Sequence, residues 1–289
     1  MNILRVAALV VVTAAVAGGA RVAGAATPAP NAAEVALTSE QVVAKSMEAR
    51  GGEEAWKKIE TIVWMGHLES ERSPVQSVPF VLAEKRPNKS RFEITAPAEH
   101  GLRVFDGKRG WKMRPGEGGV PQVQPFTPAE VKFAQDAAGL EGPLVDYRAR
   151  GSALQLEGTD LIEGRKAYRL GVTLASGGRQ QVWVDAQTFL ELRFDRATYS
   201  ANGQPGTVSV FYRDYRTVEG LKLPSLIEIG GTAAKKPDRM VIDKISLNVP
   251  LDDRQFTRAD TLGHRAEITI KPPAVAAPPA PIGPQPASK

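Results

Sequence analysis

From Thr61 to Asn248 apolar and polar residues alternate in one short run after another, and that alternation constrains the fold more than any other feature of the chain. It begins with Ile62, Trp64 and Leu68 on one parity against Thr61, His67 and Glu69 on the other. A period of two is that of a strand with one face buried. The pattern returns in Val78-Phe80-Leu82, Phe92-Ile94, Leu102-Val104, Tyr168-Leu170-Val172-Leu174, Val182-Val184, Leu190-Leu192-Phe194, Val208-Val210-Tyr212 and Ile242-Lys244 with Ile245-Leu247. Between the runs stand Asp106-Gly107, Ser176-Gly177-Gly178, Asp185-Ala186-Gln187 and Asn202-Gly203, residues that form tight turns. Turns this short join antiparallel neighbours, so the runs predict one large antiparallel sheet.

Two helices interrupt this pattern. Thr38, with Gln41 three residues on, forms a capping box, Val42, Val43 and Met47 share a side, and Gly51-Gly52 end the element, with a short amphipathic turn through Trp56 and Ile59 following. The second runs from Thr127 to Ala138, with Thr127 as cap, Pro128 in the first turn and Glu130 completing a capping box. Two helices cannot cover both faces of so many strands. The fold class expected is therefore mainly β (α+β): a large curved antiparallel sheet forming an incomplete barrel, one face polar, with the helices lidding the concave apolar face.

The termini read differently. Asn2 to Arg5 precede an apolar run from Val6 to Ala17, and Ala23-Gly24-Ala25 offers an A-x-A site, which makes residues 1–25 a secretory signal peptide and the expected location the periplasm. The run falls short of the roughly 20 apolar residues that span a bilayer. Residues 26–36 and 271–289 are rich in Ala and Pro and are expected to be disordered, leaving 37–270 as one folded domain. The chain has no cysteine, so disulfides, thiolate metal sites and lipid attachment through a cysteine are excluded. Its formal charge of +5 includes Arg5 and Arg21 of the leader, too mild an excess to indicate nucleic acid as a partner.

No pattern predicts an enzyme, a metal or a cofactor. His67 and Glu69 share a strand face but have no further ligand by spacing, His100 and His264 have no partner, and the chain lacks G-x-S-x-G, H-E-x-x-H and S-x-x-K. Gly116-Glu117-Gly118-Gly119 lacks the strand-to-helix context of a phosphate loop, and Gly230-Gly231 with Lys235-Lys236 is broken by Pro237. The adjacent pairs Glu53-Glu54 and Asp252-Asp253 point apart and are assigned to the surface. A wide sheet with few covering helices tends to enclose space, so the residues on the apolar parity are candidates for a cavity lining. These are Trp64, Phe80, Leu82, Phe92, Ile94, Val104, Leu170, Val172, Leu192, Phe194, Val210 and Tyr212, with Val131, Phe133 and Ala134 of the second helix as a lid.

The order helix, strand from Thr61 to Ser70, hairpin Val104-Phe105-Asp106-Gly107-Lys108-Arg109-Gly110-Trp111, helix and long meander resembles the LolA/LolB-like lipoprotein-carrier superfamily. So do the hairpins Gly164-Arg165-Lys166-Ala167-Tyr168-Arg169-Leu170, Val182-Trp183-Val184-Asp185 and Leu190-Glu191-Leu192-Arg193. Tyr212-Arg213-Asp214-Tyr215 running into Val218-Glu219-Gly220-Leu221-Lys222-Leu223-Pro224 resembles its closing strands, and the likeness extends from about Thr38 to Asp260. The resemblance implies an incomplete barrel whose concave face accepts the acyl chains of lipids or lipoproteins without chemistry, with envelope proteins as partners for cargo handover. The alternative is an envelope sensing or scaffolding domain whose sheet binds a protein partner.

Overall fold

The computed structural model describes residues 37–257 except 72, 74, 97–98, 116–119, 138, 200–204 and 231–236. The expected leader, linker and tail, and His264, lie outside the described residues. Helix α1 (Ser39–Ala49) opens on the Thr38–Gln41 capping box and buries Val42, Val43 and Met47. The chain then reverses at Gly51 (φ 113°) and Gly52 (φ 91°), a backbone conformation that residues with a Cβ rarely adopt, and enters α2 (Glu53–Lys57), which buries Trp56.

Among the described residues thirteen strands follow and form one antiparallel sheet. Six precede helix α3 (Pro128–Asp136): β1 (Thr61–Glu69), β2 (Ser77–Lys85), β3 (Lys89–Ala96), β4 (Glu99–Phe105), β5 (Gly110–Pro115) and β6 (Pro121–Pro125). Seven follow it: β7 (Ala153–Ile162), β8 (Arg165–Thr173), β9 (Arg179–Asp185), β10 (Glu191–Tyr199), β11 (Pro205–Val218), β12 (Leu221–Gly230) and β13 (Asp238–Leu247). Each set is a meander, and the two join where β1 pairs with β13, so β6 and β7 are the edges. At the seam Gly66 is required: a Cβ there would lie 1.9 Å from the Val241 carbonyl oxygen, where the register shifts between Met65 and Gly66.

The sheet is unclosed and strongly curled, and α3 gives a measure of the curl. Six strands separate β4 from β10. On a flat sheet that is about 34 Å. Yet Glu130 of α3 is bonded to Arg103 of β4 and Phe133, less than one turn on, lies under Arg196 of β10. Two side chains about 5 Å apart along the helix reach both strands only if the sheet wraps around them.

The concave face carries the main core, running from Ile62, Phe80 and Ile94 through Ile242 and Leu223 to Leu170, Val172 and Val182. The outer face is not wholly polar as its sequence pattern predicts. Val63, Ala83, Leu102, Val104 and Met113 cluster there beneath Leu251 and Phe256, and Ile162, Ala167, Trp183 and Leu192 form a second patch. The first is covered by the short turn Asp253–Phe256, which Lys85 and Lys89 tether through Asp253 at 2.8 and 2.7 Å.

Candidate ligand cavity

On the concave side the strands β1 to β4 leave space between themselves and α3. An outer chamber of about 280 Å³ is lined by Leu82, Phe92, Phe126, Phe133, Ala134, Leu140, Ile229 and Met240, with Arg103, Glu84 and Lys89 at its margins. A deeper chamber of about 210 Å³ shares the walls Leu82, Glu84, Leu140 and Met240, and adds Trp64, Trp56, Tyr212, Ile227 and Ile242. The apolar walls come from the alternation: Leu82 pairs with Phe92 and Phe80 with Ile94 across β2 and β3, which puts all four on the concave side. Together the chambers fall within the usual range of ligand sites, about 300–1,000 Å³.

Helix α3 is a strap held at both ends by polar contacts. Thr127 and Glu130 make the expected capping box. The same Glu130 carboxylate accepts from Lys112 Nζ at 2.8 Å and from Arg103 at 3.3 Å. Burial alone would raise the pKa of Glu130, but Lys112, the Thr127 N–H and Arg103 outweigh it and hold the group at about 2. At the other end Gln180 of β9 donates to the Asp136 carbonyl, and Asn88 donates to those of Ala134 and Gln135. No residue of α3 is fully buried. The helix therefore hangs from ion pairs and carbonyl contacts rather than from a packed face.

A polar cluster lies in the deeper chamber. Arg50, the C-cap of α1, is stacked on Trp56 at 4.5 Å, donates to the Glu141 carbonyl at 2.7 Å and pairs with Glu191 at 3.1 Å. Arg86 holds Glu141 Oε1 at 2.9 Å together with the Ile59 and Trp56 carbonyls. Burial raises the Glu191 carboxyl, opposed by Arg50. Glu84 accepts from Trp64 Nε1 at 3.0 Å, and burial raises its pKa to about 7 against that hydrogen bond. Burial also pushes the Tyr212 hydroxyl upward. Among the described residues no group of three or more metal-ligating side chains occurs, and His67 sits half-exposed between Glu69 and Asp243 at 3.4 and 3.2 Å.

Of the residues singled out in the sequence, Leu82, Phe92, Phe133 and Ala134 line the outer chamber and Trp64, Leu82 and Tyr212 the deeper one. Phe80, Ile94, Leu170, Val172, Phe194 and Val210 belong to the same concave cluster but are buried within it, and Val131 is half-buried outside both chamber walls. Two require correction. Val104 faces outward, against Leu251 and Phe256, because β4 is apolar on both parities and its inward positions are Arg103 and Phe105. Leu192 also faces outward, onto Trp183, because a bulge between Glu191 and Arg193 shifts the parity of β10. The bulge turns Glu191 inward in its place, opposite Val184. Sequence parity also passed over Glu84, Glu141 and Arg50; only the acidic or basic residue on an otherwise apolar parity at Glu84 carried a signal.

No family model matches the chain, and no curated protein does. Its architecture is similar to that of a LolA superfamily protein, NE2245, from Nitrosomonas europaea, at a TM-score of 0.50 and 16% identity over 77% of this chain and 99% of that one. A DUF1329 family protein from Desulfovibrio piger aligns at 0.48 with 13% identity, over 75% of this chain and 96% of that one. The chain has a LolA-like fold.

Proposed function

We propose that this chain is a periplasmic binding or carrier protein for lipid or lipoprotein acyl chains, which it holds in the concave cavity without chemistry. The observation that carries this reading is a pair of adjoining chambers with largely apolar walls, the outer one under a helix with no buried residue of its own. A chain of 16 carbons loses roughly 12 kcal/mol on leaving an apolar phase for water, at about 0.8 kcal/mol per methylene. A carrier offsets that loss with a pre-formed apolar surface. With α3 in place the chambers suit a short chain or the end of a longer one, and lifting α3, which has no fully buried residue, extends the apolar floor at the cost of the Glu130 ion pairs with Lys112 and Arg103. The secretory leader expected over residues 1–25 supports export, and envelope proteins that receive or deliver the cargo are the partners this role requires.

Mass spectrometry of material extracted from protein purified without detergent tests the proposal. Acyl-chain lipids at near-stoichiometric amounts are expected. A protein that remains free of lipid after incubation with envelope lipid vesicles contradicts it.

A further inference from the structure

The cationic donors around the deeper chamber are already committed, and the Tyr212 O–H is the uncommitted donor among the lining side chains described. Arg50 serves Glu191 and the Glu141 carbonyl, Arg86 serves Glu141 Oε1 and two carbonyls, Arg150 behind Glu141 serves the Gly142 and Val145 carbonyls, and the Tyr215 hydroxyl donates to the Glu191 carbonyl. Acceptors are left over. Glu141 is 4% exposed, lines the chamber, and its Oε2 has no hydrogen-bond partner among the described residues. Glu84, in the wall shared by both chambers, accepts only from Trp64 among the described residues. Tyr212 lines the same chamber, and its hydroxyl, which can both accept and donate, is bonded to no described residue.

A buried carboxylate oxygen without a donor is costly, so the arrangement favours an occupant that brings donors. A carboxylate or phosphate head would add acceptors and like charge beside Glu84 and Glu141. An ammonium carries three donors and no acceptor. We infer that the deeper chamber binds a primary ammonium group carried on an apolar chain, the head lying among Glu84, Glu141 and Tyr212 and the chain extending along Leu82 and Met240 into the outer chamber. The inference rests on the reading of these chambers as a ligand site and specifies the head group that site selects.

The groups around Glu84 are Trp64 on β1, Glu141 before β7, Arg50, Glu191 and Tyr212 in the deeper chamber, with Lys89 on β3 and Arg103 on β4 at the margin of the outer one. Because Glu84 holds its proton until about pH 7, ammonium binding is strongest above neutrality and weakens as acid returns that proton.

The test is calorimetric titration of the full chain at pH 8 with dodecylammonium, dodecanol and laurate, all below micelle formation, repeated with Glu84→Gln and Tyr212→Phe. Neither substitution removes a partner of Arg50 or Arg86, and circular dichroism checks the fold of each. The ammonium is expected to bind about tenfold tighter than the alcohol, as a charge-assisted hydrogen bond allows, with laurate weakest. Glu84→Gln should remove most of that advantage, and lowering the pH to 5.5 should shrink it in the parent and in Tyr212→Phe but not in Glu84→Gln. Alcohol or laurate binding as tightly as the ammonium, or a preference undiminished in both variants, overturns the head-group inference while leaving the apolar cavity standing. Failure of all three probes to bind overturns the cavity reading along with it.

Discussion

The two meanders use the same alternating pattern and arrive at different interiors. In the second, Leu170, Val172, Val182 and Val184 are wholly excluded from solvent. Helix α1 lies over that side, with Lys45 above the Phe189 ring, Arg50 on Glu191 and Gly51 against Gly220, and it contributes Val42, Val43 and Met47 to the core. In the first, Leu82 and Phe92 remain partly accessible within a chamber roofed by α3, which contributes no buried residue. The strand pattern determines which side chains face inward. What covers them decides whether the result is a core or a cavity, and the amphipathicity of the covering helix makes the difference.

The largest effect that would sharpen this contrast lies at the anchor of the packed side. Arg50→Ala strands the Glu191 carboxylate in a buried site and should cost about 3–5 kcal/mol in denaturant unfolding, the usual consequence of breaking one partner from a buried pair. Next come paired truncations. Leu170→Ala should cost about 2–5 kcal/mol by opening a void in a closed core, whereas Leu82→Ala, already bordering open space, should cost about 1 kcal/mol. Equal costs at the two positions would break the comparison.

The acidic residues extend it to smaller effects. Glu84 has its pKa raised in the folded state, so the protein binds more protons folded than unfolded between about pH 4.5 and 7, and stability falls as pH rises through that window. Glu84→Gln should therefore stabilise the protein at pH 8 by about 3 kcal/mol, with no gain at pH 4, as measured by thermal melts at both pH values. Glu130 has the opposite sign. Its depressed pKa gives a contribution present above about pH 4.5 and lost as pH falls towards about 2. Glu130→Gln should loosen α3 by about 1 kcal/mol, visible as faster amide exchange in residues 128–136 without change in β8 or β9.

Much of this was legible in the sequence where the signal is local. Both capping boxes, at Thr38 and Thr127, form as the residue spacing dictates, and the period-two runs become strands of one curled antiparallel sheet. What escaped depends on register or on distant segments. Strand β7 alternates through Leu154 and Leu156, then shifts register before Gly158, so that Ile162 ends on the other face. Leu192 is turned by the same kind of bulge, which no composition rule marks. Val104 faces outward because Leu251 and Phe256, nearly 150 residues along, cover that side. Strand β6, bounded by Pro121 and Pro125, is tolerated because it is an edge and has only one neighbour to bond. The polar cluster of the deeper chamber is assembled from α1, β2, β10 and the segment around Glu141, a convergence that only the fold creates.

The claim on which everything turns is that the α3-covered side is an apolar cavity able to take a ligand. Titration with a neutral, environment-sensitive apolar dye, comparing the parent with Leu82→Trp, tests it most directly. Leu82 borders both chambers, so the larger ring fills their junction. The account predicts saturable, blue-shifted fluorescence in the parent and its loss in Leu82→Trp, with the variant's melting temperature unchanged or higher. A parent that shows no saturable binding, or a variant that binds the dye as well as the parent does, would contradict it.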